Sequence, residues 1–514
     1  MDLLGNLWMG LNVVADPSTL WYCFLGVFLG TVVGVLPGIG ALAAISLLLP
    51  FTYHMSPTAA IIMLAGVYYG AQYGGSTASI LLNLPGSPSS AVTCLDGYPM
   101  ARKGKAGVAL FVTTIASLVG AMSGLILLVL FSPAISKVGL QFGPTEFFSM
   151  MLLGLVAASS MSAGSATKGL CMVVFGLLLG MIGTDVNSGV ARYSFDIPEL
   201  MDGINLVALA MGLFGVAEVM RCINLADANQ KPDKVTLRSM VPEREEFRAT
   251  IKPMLRGSAL GSFLGALPGV GPSIASFMSY AIEKRVAKDP SRFGHGAIEG
   301  ITAPESANNA AAQTAFVPSL SIGIPGDAVM AVMLGALIIH GIQPGPMLMT
   351  EQPELFWGLI VSFAIGNIFL VILNLPTIGL WVALLRIPFA WMYPAILVFV
   401  ALGVYSVNNN LFDIYMVAIL GIIGYVLMVL RFEAAPLLLG YILGPMLEEN
   451  LRRAMLLSRG DASVFFNRPI SASLLALTGA ILLWAIWSGV RKSRKEARDF
   501  AHAQENAVPA TASS

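Results

Sequence analysis

Gly34-Val35-Leu36-Pro37-Gly38-Ile39-Gly40 returns 231 residues later as Gly265-Ala266-Leu267-Pro268-Gly269-Val270-Gly271. Each copy interrupts an apolar stretch otherwise long enough to enter a bilayer. In lipid, a freed backbone N–H or C=O is costly unless protein, water or a ligand satisfies it. Paired breaks at matching places in two halves therefore point to a cavity and a solute site near the membrane midplane.

Composition places the whole chain in that setting. Of its 514 residues 56% are hydrophobic and only 11% charged, with a mean hydropathy of +0.78. A soluble protein of this length could not hide so much apolar surface, so the reading is an all-α polytopic integral membrane protein in contact with a lipid bilayer. A formal net charge of zero argues against nucleic acid as a partner. Cys23, Cys94, Cys171 and Cys222 lie in or beside apolar stretches without CxxC spacing, and read as buried thiols. Met1 to Thr19 has no cationic start and no apolar core of a signal, and reads as an amphipathic segment on the membrane surface.

Apolar runs predict helices at Gly107 to Ile135, Glu146 to Ala163, Lys168 to Thr184 and Gly203 to Ile223. A second set falls at Glu354 to Leu385, Trp391 to Val407, Leu411 to Leu430, Pro436 to Glu448 and Ile470 to Val490. Between the sets, Asn224 to Arg256 carries seven basic and five acidic residues and no apolar run. Four parts follow: a first membrane repeat (1–223), a hydrophilic linker (224–256), a second repeat with additional C-terminal helices (257–490), and a basic tail (491–514).

Both repeats share a grammar. After the PG-tipped segment comes one rich in small polar residues that ends in a second break, Leu84-Pro85-Gly86-Ser87 or Ile324-Pro325-Gly326-Asp327, now offset by 240. The extra nine residues fit the charged loop Glu283 to His295. Loop charges set the relative orientation. Arg102, Lys103 and Lys105 follow the first LPG break, whereas Ile342 to Gln352 has no basic residue and contains Glu351. Lys284, Arg285, Lys288 and Arg292 follow the second PG segment, whereas Thr52 to Pro57 is uncharged. By the positive-inside rule, equivalent loops sit on opposite faces, as inverted-topology repeats require, and the tail is cytoplasmic. The linker and the loop after Ile282 then share the cytoplasmic side. A re-entrant hairpin with the PG motif at its tip explains this, and a spanning broken helix with a periplasmic linker is the alternative.

Several residues at membrane depth could hold a solute. The tips offer Pro37, Gly38, Gly40, Pro268, Gly269 and Gly271; the first half adds Ser76, Thr77, Asn83, Pro85, Gly86 and Ser87, and the second Asn308, Asn309, Pro325 and Gly326. Amides and open N–H groups at helix starts suit a carboxylate. For a cation such as sodium, oxygen donors at Gly38, Asn83, Gly269, Glu305, Asn309 and Asp327 are the candidates, since intramembrane carboxylates are functional by default. Competing explanations are close helix packing for the small residues, a surface cap or ion pair for Glu305, and capping of the next helix for Asp327. His54, His295 and His340 resemble no transition-metal set.

HExxH, GxSxG and GxxxxGKS are all missing, so the chain is not read as an enzyme, and uphill transport would draw on an ion gradient. The GxLPGxG pair, the stretch from Gly74 to Gly86, and Ala303-Pro304-Glu305-Ser306-Ala307-Asn308-Asn309-Ala310 leading to Gly323-Ile324-Pro325-Gly326 resemble the large membrane subunit of the tripartite tricarboxylate transporters. The likeness runs from roughly Gly5 to Arg498; Ser306 stands where the family usually has Ala. It implies a multi-pass permease of the bacterial inner membrane with about twelve spans. Its implied partners are a small four-helix membrane subunit and a periplasmic solute-binding protein that delivers citrate or a related di- or tricarboxylate. A sodium or proton gradient would drive import, with no further cofactor. A stand-alone cation-coupled organic-anion permease is the alternative.

Overall fold

The computed structural model of the protein describes residues 3–36, 40–139, 141–159, 166–185, 188–222, 235, 237–268, 270–385 and 389–484. Pro37, Gly38, Gly269 and the basic tail lie outside the described residues.

The first half opens with α1 (Leu3–Ala15), α2 (Pro17–Val35), α3 (Gly40–Thr52) and α4 (Pro57–Leu82). After the LPG break come a 3-10 turn at Pro88–Ser90, α5 (Ala91–Met100), α6 (Ala106–Gly139), α7 (Pro144–Ser159) and α8 (Ala166–Gly180). A short antiparallel pair, β1 (Gly183–Thr184) with β2 (Ala191–Arg192), precedes α9 (Leu206–Ala210), a π turn at Met211–Val216, and α10 (Ala217–Cys222). The second half runs through α11 (Arg244–Gly265), α12 (Gly271–Val286), α13 (Ile298–Thr314) and α14 (Phe316–Ile322). Past the IPG break it continues with α15 (Ala328–Ile339), α16 (Leu348–Glu351), α17 (Pro353–Asn374) and α18 (Ile378–Leu384). It closes with α19 (Phe389–Asn408), α20 (Leu411–Val429), α21 (Ala434–Leu457), α22 (Val464–Asn467) and an apolar helix over Pro469–Trp484.

Backbone contact through glycine builds the centre of each half. Gly26, Gly30 and Gly34 stand one turn apart on α2, and a Cβ at each would lie 2.1–2.5 Å from the carbonyl oxygens of Met63, Val67 and Ala71 on α4. On α11, Gly257, Gly261 and Gly265 meet the carbonyl oxygens of Ala303 and Ala307 at 2.2 Å and of Ala311 at 2.4 Å. The glycines are offset by 231 and their partners by 240, as the two sequence motifs are. Small residues spaced by four let helices approach this closely where lipid supplies no hydrophobic drive.

The breaks repeat in the same way. Gly40 and Gly271, each opening the helix beyond a PG tip, have φ +67° and +65°; Asn83 and Gly323, each ending the helix before the second break, have φ +58° and +68°. These left-handed positions are where L-residues other than Asn and Gly are strained. Packing interleaves the two halves, with α6 lying on α13 and α17 on α4. Gly120 and Gly124 of α6 continue the pattern against the carbonyl oxygens of Ser306 and Ala310.

In the second half, the PG segment is a helical hairpin. Arg256 on α11 and Glu283 on α12 lie about equally far from the tip and pair, Nε to Oε2, at 2.9 Å. At 1.5 Å per residue the 22 residues of α11 reach about 33 Å and the 16 of α12 about 24 Å, against a hydrocarbon core of about 30 Å.

Four helical stretches among the described residues are long and apolar enough to cross a membrane: Pro17–Val35, Pro88–Phe131, Pro353–Asn374 and Leu411–Val429; shorter apolar helices accompany them. On α20, Tyr415, Ile419, Ile422, Val426 and Val429 form an exposed apolar stripe at helical spacing, the face a bilayer covers.

Several sequence expectations change. The hydrophilic stretch 224–256 is not uniformly linker, since α11 starts at Arg244 behind a capping box of Glu243 and Glu246. Polar residues on its first turns hid a helix whose apolar, glycine-rich part begins only at Gly257. Thr184 belongs to a strand rather than to the preceding helix, which ends at Gly180. The N-terminal segment is a helix docked along α17, with Gly10 against the Trp357 carbonyl and Val14 buried. Cys23 is buried, but Cys171 is exposed on the outer face of α8; apolar context alone does not separate a core thiol from a lipid-facing one. Acidic and basic groups of the β-hairpin and α21 form a network in which Arg192 pairs Asp185 at 2.6 Å and Glu448 at 3.0 Å, and Arg452 pairs both.

Candidate functional site

Glu305 sits in mid-α13, 1% exposed, one residue after Pro304, whose ring removes a helix hydrogen bond. It caps no helix, and among the described residues it has no ion pair with any cationic side chain. Its partners are hydroxyls: Thr93 on α5 donates to Oε1 at 2.5 Å, and Ser117 on α6 lies 3.4 Å from Oε2. One helical turn on, Asn309 uses Nδ2 to donate to the Glu305 carbonyl at 3.0 Å and to Ser117 Oγ at 2.8 Å. A carbonyl can only accept, so the amide cannot be flipped and its Oδ1 is left facing inward without a donor. Among the described residues, Ser76 Oγ, both amide atoms of Asn308, and Gln313 Oε1 are likewise buried with no hydrogen-bond partner. Buried polar atoms are nearly always paired, so this many orphans on facing helices mark a place built for something else.

A narrow pocket, too tight in this structure to hold a water, lies beside them. Tyr73, Ser76 and Thr77 of α4 face Leu110, Thr113, Thr114 and Ser117 of α6, with Asn374 and Ile378 closing the end. Tyr73 donates its hydroxyl to Asn367 Oδ1 at 2.9 Å, which holds its ring in the wall. Apart from Leu110 and Ile378 the lining is hydroxyl and amide, the chemistry that coordinates a carboxylate or an alkali cation.

The first break connects to this cluster. Gly86 packs against the Gly34 carbonyl and Gly75, and Ser87, Ser89 and Ser90 form a hydroxyl knot in which Ser89 donates to Gln72 Oε1 at 2.7 Å. Thr93 follows within the first turn of α5. Gly40 stands over the Gly86 carbonyl, and a Cβ there would be 3.9 Å from it. Asn83 and Pro85, however, turn to the exposed side of the break. Asn83 holds the left-handed cap that Gly323 holds in the other half, so its backbone role is plain.

The second break goes elsewhere. Pro325 and Gly326 are buried, and Asp327 caps α15 by accepting from Met330 N at 2.8 Å while also accepting the Tyr68 hydroxyl. Tyr68 lies about two turns from Ser76 along α4, so this break meets the first half away from Glu305. Gly271 packs against Asp327, and Pro268 is half-buried at the tip. Gly40 and Gly271 each rest on the break of their own half, while α12 also touches the turn at Pro88–Ser90 and α15 touches α3, so the breaks meet across the halves as well.

Thr93, Thr113, Thr114, Ser117 and Asn374 were missed in the sequence, where single hydroxyls and amides in long apolar helices look like packing residues. Asp96 was missed as well. Fully buried on α5, it accepts from the backbone N–H groups of Gly294, Gly296 and Ala297 at 2.7–2.9 Å and from the Tyr280 hydroxyl at 3.0 Å. It fastens the first half to the α12–α13 connection. Its signal was an acidic residue closely followed by the basic loop.

Comparison with known proteins adds the following. The profile of the tripartite tricarboxylate transporter TctA family matches residues 20–439. An uncharacterized 52.8 kDa protein from the TAR-I ttuC' 3' region of Agrobacterium vitis is 52% identical over 495 residues, which is 96% of this chain and 98% of that protein. A second uncharacterized protein, from the TAR-II ttuC' 3' region of the same organism, is 57% identical over 236 residues, 46% of this chain and 98% of its own length. No solved structure matches.

Proposed function

The chain belongs to the tripartite tricarboxylate transporter TctA family, a transporter component and not an enzyme, and on that premise we propose that it is the permease through which a di- or tricarboxylate such as citrate is imported. A periplasmic solute-binding protein delivers the anion, a small four-helix membrane subunit completes the complex, and a sodium or proton gradient drives uptake across the bacterial inner membrane.

One observation carries the reading: the orphaned Ser76, Asn308, Asn309 and Gln313 next to a narrow, largely hydroxyl-lined pocket between α4, α6 and the end of α17, which Ser117 joins to α13 through Asn309 and Glu305. Such groups accept and donate to a carboxylate without the trap of a permanent ion pair, and a transporter must release what it binds. Inverted repeats would let the two halves exchange roles as access alternates. The glycine ladders and the matched left-handed caps support two equivalent hairpin units.

Uptake of labelled citrate and a panel of dicarboxylates into proteoliposomes holding this chain and its small partner tests the proposal. Uptake that needs both binding protein and a cation gradient is expected. Uptake without binding protein would support the stand-alone permease, and no uptake of any carboxylate would overturn the substrate class.

A further inference from the structure

We infer that Glu305 and the oxygens around it form the sodium site, and that sodium bound there is what makes the neighbouring pocket able to accept an anion. The inference rests on the transport reading above for its purpose but not for its geometry. An ionised carboxylate buried without a positive partner is strongly unfavourable, and among the described residues no cationic side chain pairs with Glu305. The protein nonetheless surrounds it with polar groups from both halves: the Thr93 and Ser117 hydroxyls from the first, and from the second the Asn309 amide, which reaches Ser117 Oγ and the Glu305 carbonyl. Ser76 and Asn308 face the same carboxylate without reaching hydrogen-bond geometry. Asn308 and Asn309, each with a buried amide oxygen that has no donor among the described residues, thus join one carboxylate and the hydroxyls of Ser76, Thr93 and Ser117 in one cluster. That is a donor set of hard oxygens carrying a single negative charge, which matches a hard monovalent cation.

Coupling follows from charge alone. Ser76 and Ser117 belong both to the Glu305 cluster and to the pocket lining, so an anion in the pocket would sit close to the carboxylate. At such separations in a low-dielectric setting, like charges repel strongly. A cation at Glu305 cancels that repulsion and leaves Ser76 and Ser117 shared between the two ligands. Sodium binds first, and the carboxylate follows.

Cation binding is measured on the purified full-length chain, without substrate, as the shift of thermal unfolding during titration with sodium, potassium or choline at fixed ionic strength and pH. A saturable upward shift with sodium alone is expected. E305Q and T93V should each weaken the apparent sodium affinity by about tenfold or more. S258A, which alters another orphaned hydroxyl on α11, should leave the affinity unchanged. T93V guards against the case in which E305Q fails to fold. A sodium shift retained in both variants would overturn the assignment. So would a wild-type protein indifferent to sodium whose stability depends on pH through Glu305, which would make the ligand a proton. Carboxylate uptake with no sodium response would sink the site and spare the transport reading; a sodium response with no uptake would do the reverse.

Discussion

Asn83 shows how one residue can serve the backbone and be mistaken for a ligand, or be both. Its φ of +58° is matched by +68° at Gly323, so N83G should leave thermal unfolding within about 0.5 kcal/mol of wild type. N83V should cost about 1–2 kcal/mol, because a branched side chain is strained in that region. Unfolding and uptake measured together decide the second role: N83G with native stability but no uptake would show that the amide itself touches a ligand. Asp96 makes the opposite case. D96A strips acceptors from three backbone N–H groups and should destabilise the protein by about 3 kcal/mol or more, seen as a large fall in melting temperature; a fall no larger than that of a surface Asp→Ala control would refute the clamp. At this scale the sequence could reveal Glu305, Asn308 and Asn309, because amides and carboxylates within an apolar helix have no cheap explanation. It could not reveal Thr93 or Ser117, whose hydroxyls can always bond their own helix backbone and so announce nothing until the helices are brought together.

Helix pairs explain why the duplicated motif was easy to see and the device beneath it was not. Pro and Gly at the tips interrupt a pattern and catch the eye, whereas Gly26, Gly30 and Gly34 merely continue an apolar run. Their offset of 231 from Gly257, Gly261 and Gly265 was present in the sequence all the same. Replacing Gly30 or Gly261 with Val puts a branched side chain where even a Cβ lies 2.5 Å or 2.2 Å from a carbonyl oxygen of the facing helix. Each change should cost about 3 kcal/mol, at the upper end for overpacking, and should lower the yield of folded protein; G379A, with nothing within 4 Å of the added carbon, is the matched control. Melting temperatures of G30V and G261V equal to that of G379A would refute the ladders. Further out, Lys105 and Glu246 tie the turn before α6 to the start of α11 at 2.6 Å. The lysine holds the Glu246 carboxyl below its ordinary range, and Glu246 raises the Lys105 ammonium above its own. Stability from the carboxylate is therefore complete above the unfolded pKa of Glu and is lost as pH falls through the lowered folded value. The lysine's share fades only as pH rises through its raised one. For a pair this exposed the sum is under about 1 kcal/mol, so E246Q should differ slightly from wild type at pH 7 and merge with it in acid. A gap that widens on acidification would contradict the sign.

For the molecule as a whole, the consequence of repetition is reciprocity. α6 of the first half lies on α13 of the second and α17 of the second on α4 of the first, so a movement of either hairpin is felt by both halves. Ser87 and Ser321 flank the two second breaks, and they are 8% and 7% exposed, equally closed in this structure. If the repeats are inverted, opening one break to the periplasm and the other to the cytoplasm are mirror events, and sodium with carboxylate should trade one for the other. The expectation is tested with S87C and S321C placed singly in a chain freed of Cys23, Cys94, Cys171 and Cys222. Each is probed with a membrane-impermeant thiol reagent in oriented vesicles, with and without sodium and citrate. Reactivity at the two positions should change in opposite directions. Equal reactivity in every condition would remove the alternating reading, even though every glycine ladder and left-handed cap stayed where it is, because repeated architecture permits reciprocal access and only a difference in ligand affinity between the two states can drive it.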